Sequence, residues 1–221
     1  YEPFIRMAAG FGEASIKHDK ERYEHKYEYC DLLITGSGPS GLASAYAAAK
    51  NGARVILAED KPRFGGSLLT SDVNIGNQTG VEWTEKIIAE LKSMPNVTVK
   101  NRSQVFGYYD HNMLVMSERI SDHLPKTQKY LPKQRLWYIR ANEVLISSGS
   151  IERPLVFGNN DTPGVMLSSA AKEYMKVYGV LVGKKPLIFT NNESGYETAI
   201  EFKKNGVNPI ILDTRSNPSS D

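Results

Sequence analysis

The stretch Asp31-Leu32-Leu33-Ile34-Thr35-Gly36-Ser37-Gly38-Pro39-Ser40-Gly41 decides the fold. An apolar run enters three glycines spaced G-x-G-x-x-G, an alanine-rich segment follows, and a second apolar run, Ala53-Arg54-Val55-Ile56-Leu57-Ala58, ends on Glu59. Each glycine has its own steric task. Gly36 permits a tight turn off the strand, Gly38 lets a pyrophosphate approach the backbone, and Gly41 lets the next helix pack closely on the sheet. Pro39 suits a first helical turn, whose unpaired N–H groups and positive dipole end favour an anion. Ala43, Ala45, Ala47, Ala48 and Ala49 make a slim helix, and Asn51-Gly52 stops it. The unit is a β-α-β turn shaped to hold a dinucleotide.

Glu59 arrives eighteen residues after Gly41, close to the spacing of a carboxylate that binds ribose hydroxyls. A carboxylate there repels a 2′-phosphate, so NAD or FAD is favoured over NADP. The motif reads only the ADP half that NAD and FAD share, so FAD stands as the alternative to NAD. A cofactor-free structural module is the third reading.

With 221 residues, 40% of them hydrophobic, the chain suffices for one large domain or two small ones. The net charge of +2 is dispersed and gives no sign of nucleic-acid binding. The one basic stretch, Lys126, Lys129, Lys133 and Arg135, reads as a solvated loop. No apolar run approaches the length of about 18 residues that spans a bilayer, and no signal-peptide core is visible, so a cytoplasmic location without membrane contact is expected. The single cysteine, Cys30, precedes the first strand and reads as a packed thiol. With Phe64-Gly65-Gly66-Ser67-Leu68-Leu69 holding no thiol, dithiol redox chemistry is excluded. No metal-ligating cluster is read.

Further along, apolar periodicity predicts a helix over Val81–Lys92 and a third strand at Val97-Thr98-Val99. Val105–Tyr109, Met113–Ile120 and Arg135–Arg140 read as a β-meander over about 104–140. Asp110-His111-Asn112 reads as its first turn rather than an acid/base pair. Glu143–Ile146 reads as a separate return to the parallel sheet. A second β-α-β unit follows: Pro186–Phe189, a helix over Glu193–Lys204, the stop Asn205-Gly206, and Pro209–Leu212 ending on Asp213, eighteen residues after Gly195. Its turn, Thr190-Asn191-Asn192-Glu193-Ser194-Gly195, keeps one glycine of three and sets a carboxylate where a phosphate would lie, so this half keeps a fold and loses the ligand. The chain divides into an arm (1–30), a dinucleotide-binding domain with its meander (31–165), and a degenerate, incomplete second half (166–221).

Two nucleotide-type halves around a meander resemble the glutathione-reductase-like, two-dinucleotide-binding α/β proteins of Rossmann type. A closer resemblance lies in Tyr1-Glu2-Pro3-Phe4-Ile5-Arg6, Arg22-Tyr23-Glu24-His25, Val105-Phe106-Gly107-Tyr108-Tyr109-Asp110-His111-Asn112, Gln134-Arg135-Leu136-Trp137-Tyr138-Ile139-Arg140 and Glu152-Arg153-Pro154-Leu155-Val156-Phe157. These blocks are similar to the alpha subunits of heterotetrameric sarcosine oxidases, and the similarity runs along essentially the whole chain. The turn of that family carries glycine and alanine where this chain has Ser37 and Ser40.

The resemblance implies a complex that demethylates sarcosine to glycine, consumes oxygen and passes a one-carbon unit to tetrahydrofolate. It implies beta, gamma and delta partner subunits, oxidation at FAD and FMN in or bordering the beta subunit, and a non-covalent NAD in the alpha subunit. It also implies that this chain is an excerpt, inactive alone, with further domains before and after it. By position, Gly36, Gly38, Ser40 and Gly41 would cradle the pyrophosphate, and Glu59, Asp60 and Lys61 would surround the adenosine ribose. Ser67 would add a hydroxyl, and Val105 or Phe106 would frame the adenine. The resemblance names no catalytic residue.

Overall fold

The computed structural model describes residues 1–10, 16–125 and 130–216. The elements run α1 (Glu2–Ala8), β1 (Tyr23–Thr35), α2 (Pro39–Lys50), β2 (Val55–Ala58), β3 (Asn74–Ile75), β4 (Gln78–Thr79), α3 (Gly80–Ser93), β5 (Val97–Lys100), β6 (Ser103–Tyr109), β7 (Met113–Arg119), β8 (Gln134–Ile146), α4 (Ser168–Tyr178), β9 (Leu187–Thr190), α5 (Ser194–Lys204) and β10 (Ile210–Asp213). The main sheet has six strands in the order β5-β2-β1-β8-β7-β6. Its first four strands are mutually parallel, and β7 and β6 join antiparallel.

Strand β2 is buried over all four residues because both faces of the parallel sheet are covered. On one face Ile34, Val55 and Leu57 meet Leu42, Ala45 and Ala49 of α2 and Ile87, Ile88 and Leu91 of α3. The buried positions of α2 recur at helical spacing, and its alanines allow the close approach. On the other face Leu33, Ile56 and Ala58 meet Leu114, Met116, Trp137 and Ile139, so the meander folds back over the sheet it extends. Helix α3 opens with a capping box in which Thr79 and Glu82 exchange hydrogen bonds. Cys30 is 1% exposed, and burial pushes its thiol up to about 12, which fits a packed, inert side chain.

Two elements and one residue differ from the sequence expectation. Strand β1 begins at Tyr23 and takes in the last eight residues of the segment read as an arm. Here Tyr23, His25, Tyr27 and Tyr29 alternate with charged residues, so neither face carries an apolar signal, yet Tyr27 stacks on Tyr138 of β8 at 5.1 Å. Strand β8 is one strand where two were read. It pairs β1 along its whole length and β7 only as far as Arg140. Arg135 is no part of a solvated loop: it sits on β8 between Glu24 at 2.9 Å and Glu118 at 3.3 Å. Of the other basic residues, Lys126 and Lys129 lie outside the described residues. The turn at Asp110–Asn112 is present, with His111 and Asn112 at positive φ and both Asp110 and His111 turned to solvent.

The second half is a parallel pair, β9 and β10, covered by α4 and α5. Its core is Ala171, Met175, Ile188, Ala199 and Phe202. No helix among the described residues is long and apolar enough to cross a membrane.

Candidate functional site

The glycine turn joins β1 to α2, and its three glycines differ in what the protein demands of them. A Cβ on Gly36 would lie 2.3 Å from the Ser147 carbonyl oxygen, and its φ is +100°. A Cβ on Gly41 would lie 2.0 Å from the Gly36 carbonyl oxygen. Neither position tolerates a side chain. Gly38 is different: nothing stands within 4 Å of its Cβ position, and its φ of −67° suits any residue. The protein's own packing gives no reason for glycine there, and the open space lies at the start of α2. Pro39 and Ser40 occupy the first helical positions, both exposed.

Gly65 and Gly66 close on this turn from the side. The Gly65 N–H donates to the Ser37 carbonyl at 3.1 Å and to the Ser37 hydroxyl at 3.2 Å, and a Cβ on Gly66 would meet Gly38 Cα at 2.9 Å. Ser67, read as a phosphate ligand, lies exposed in the 3-10 turn Gly66–Leu69 that follows.

Glu59 is 6% exposed, so it is no solvated strand-end carboxylate. Its Oε2 accepts from the Ser37 N–H at 2.9 Å and from the Ser37 hydroxyl at 2.5 Å; its Oε1 accepts from the Lys61 N–H at 3.0 Å. Burial acts to raise the Glu59 carboxyl, but hydrogen bonds from Asp60, Ser37 and Lys61 outweigh it and hold the group below the usual carboxylate range. Asp60 moves upward, chiefly through its hydrogen bond to Glu59. The 59–62 turn is held by the β5–β6 connection: Glu59 N–H to the Lys100 carbonyl, Ser103 N–H to the Glu59 carbonyl, Arg102 N–H to the Lys61 carbonyl. Val105, two residues into β6 from Ser103, is half-buried beside this turn and packed on the sheet core, and Phe106 is exposed at a bulge.

The Lys61 side chain does not hang free. Its Nζ lies 2.8 Å from both carboxylate oxygens of Glu173 on α4. Burial acts to lower the Lys61 ammonium, and Glu173 with Asp60 outweighs it, so Lys61 titrates above its ordinary value.

The structure therefore gathers Gly36, Gly38, Ser40 and Gly41 at one turn, with Glu59 tied to it through Ser37, Asp60 and Lys61 next in the chain, and Ser67 just past Gly66, while Val105 lies on β6 packed on the sheet core. Two residues that the sequence reading passed over take part. Ser37 is fully buried and ties the turn to Glu59, and the only sequence signal was a serine inside a glycine turn. Glu173 lies 112 residues from Lys61 and gives no local signal at all. A cleft of about 470 Å³ lies nearby, lined by Leu69, Ser71, Asp72, Val73, Thr79, Gly80, Val81 and Lys176. It contains none of the turn's residues and is filled in charge by Asp72, which Lys176 and Lys204 both bind. Among the described residues no acidic, histidine or cysteine cluster could hold a metal.

The corresponding turn of the second half is occupied by its own side chains. Glu193 stands at the N-cap position of α5 without a side-chain cap and is held by Arg215 at 2.6 Å, and Arg215 also binds Asp213 at 2.7 Å. Tyr196 donates to Asp213, and a Cβ on Gly195 would strike Thr190.

Residues 31–126 match the FAD dependent oxidoreductase family. Sarcosine oxidase subunit alpha of Rhizobium meliloti (strain 1021) is 45% identical over 216 residues, 97% of this chain and 22% of that protein. The subunit of the same name from Corynebacterium sp. (strain P-1) is 35% identical over the same shares. Among solved structures, L-proline dehydrogenase from P. horikoshii superposes with a TM-score of 0.69 at 20% identity, over 93% of this chain and 39% of that one; this supports the fold. The chain spans 22% of the length of the curated relatives it matches. Over 97% of its length the chain is similar to a part of sarcosine oxidase alpha subunits, and its architecture is that of an oxidoreductase domain of Rossmann-like α/β fold.

Proposed function

We propose that this chain is the dinucleotide-binding portion of a sarcosine oxidase alpha subunit and takes NAD at the first glycine turn. The observation that carries the reading is Gly38, a glycine at a helix start that packing does not require and that leaves the backbone open to a phosphate. Gly36, Ser40 and Gly41 complete the pyrophosphate cradle. Glu59 accepts from the ribose hydroxyls, flanked by Asp60 and Lys61, with Ser67 toward the phosphates and Val105 toward the adenine. The bound group would supply hydride or electron chemistry, and this chain's residues bind and orient it.

The FAD dependent oxidoreductase match over 31–126 favours FAD as a second reading of the same site. Under either reading, oxidation of sarcosine belongs to flavin held with beta, gamma and delta subunits in a cytoplasmic complex, with tetrahydrofolate as acceptor of the one-carbon unit. Calorimetric titration of the apo-protein with NAD and with FAD separates the two. Glu59→Ala weakens whichever binds, by about tenfold or more for loss of a charged hydrogen-bond acceptor. Asp213→Ala leaves binding unchanged. Equal losses from the two substitutions would place the site wrongly.

A further inference from the structure

Lys61 stands beside the ribose carboxylate, and a cation in that place is the usual means of accepting a 2′-phosphate. Its backbone N–H is fixed on Glu59 Oε1 at 3.0 Å, so the root of the side chain cannot leave the site. The ammonium, however, is drawn across to the second half, where both oxygens of Glu173 hold it at 2.8 Å. Helix α4 does not hold this pose by one contact. Lys176, one turn after Glu173, reaches Asp72 in the first half and Glu201 of α5 at 3.2 Å. Glu173 is thereby presented to Lys61 from an anchored helix.

We propose that Glu173 is a specificity-determining residue: by holding the Lys61 ammonium it denies a 2′-phosphorylated ribose its counter-charge and keeps the site selective for the plain dinucleotide. The inference rests on the assignment of the ribose site to Glu59. The Lys61 ammonium is then matched by Glu173, while Glu59 engages only the Lys61 backbone N–H and keeps its own charge on the ribose side. Discrimination is therefore built partly from a residue outside the β-α-β unit that binds the nucleotide.

The test uses ADP-ribose and its 2′-phosphate as probes, since both read only the half that NAD and FAD share, titrated calorimetrically into the purified protein. Glu173→Gln keeps the side-chain shape and removes the charge. It should raise affinity for the 2′-phosphate about threefold to fivefold while affinity for ADP-ribose changes less than about twofold. Adding Lys61→Ala to Glu173→Gln should cancel that gain, and raised salt should shrink it. Equal changes for both probes would mean that Glu173 only supports the fold, and no change for either would mean that Lys61 never faces the 2′ position; both overturn the inference. Failure of ADP-ribose to bind the unaltered protein overturns instead the assignment of the turn itself.

Discussion

Ser37 is the residue on which the glycine turn and the Glu59 carboxylate depend together. Its backbone N–H and hydroxyl both serve Glu59 Oε2, and its hydroxyl and carbonyl oxygen both accept from Gly65. Ser37→Ala removes the hydroxyl alone, and loss of a hydrogen bond to a buried charge should cost about 1.5–3 kcal/mol in denaturant unfolding. The pH dependence has a definite sign. Glu59 is held below its ordinary value of 4.5, so its contribution is present above that value and lost as pH falls through the folded value. In Ser37→Ala the carboxyl rises, and the acid loss of stability should begin at a higher pH, followed by carbon NMR of the Glu59 carboxyl. An unmoved carboxyl would show that the backbone N–H and Lys61 suffice. Spacing marked Glu59 as a candidate ribose ligand, but spacing carries no information on burial, so the internal partner that orients it stayed hidden.

At the scale of the element, the β1-α2 junction separates two glycines that packing requires from Gly38, which packing leaves open. Gly41→Ala drives a methyl against the Gly36 carbonyl at 2.0 Å and should cost more than about 2 kcal/mol, because backbone cannot move aside as a side-chain end does. Gly38→Ala meets nothing and should change stability by no more than about 1 kcal/mol, the difference between glycine and alanine at an N-cap. Dinucleotide affinity should respond in the opposite order of diagnostic value, with Gly38→Ala binding poorly while folded. Paired thermal and calorimetric measurements check both, and Gly38→Ala that binds normally would remove the chief support for the site. The glycine turn, α2 and β2 were legible because steric demand and apolar contrast mark them. The start of β1 was not, because Tyr23 to Tyr29 alternate between aromatic and charged residues with neither set buried. Nor was the continuity of β8, whose antiparallel partner ends at Arg140 while β1 carries it on to Ile146.

Across the whole molecule, two β-α-β units of matching spacing have opposite electrostatics at their turns. In the first, the helix start is open, and the Glu59 carboxylate beside it accepts from Ser37. In the second, Glu193 stands at the helix start, Arg215 ties it to Asp213, and Thr190 fills the space beneath Gly195. The Arg215 guanidinium holds the Asp213 carboxyl well below the usual carboxylate range, so that carboxylate is already matched by a fixed cation. The repeat was legible from Asp213 and Asn205-Gly206, and the loss of glycines foretold the blocked turn, whereas Arg215 two residues past the strand announced nothing. A dinucleotide at the second turn would have to displace Glu193, whose negative charge repels a pyrophosphate at the very dipole end that would attract it. Dinucleotide should therefore bind with a stoichiometry of one per chain. Arg215→Ala should leave that number at one, because removing the cation from Glu193 and Asp213 adds repulsion without opening space. Calorimetry on the unaltered protein and on Arg215→Ala decides it: a second equivalent bound by either would mean that the Glu193 side chain swings clear and that both halves of the molecule are nucleotide sites.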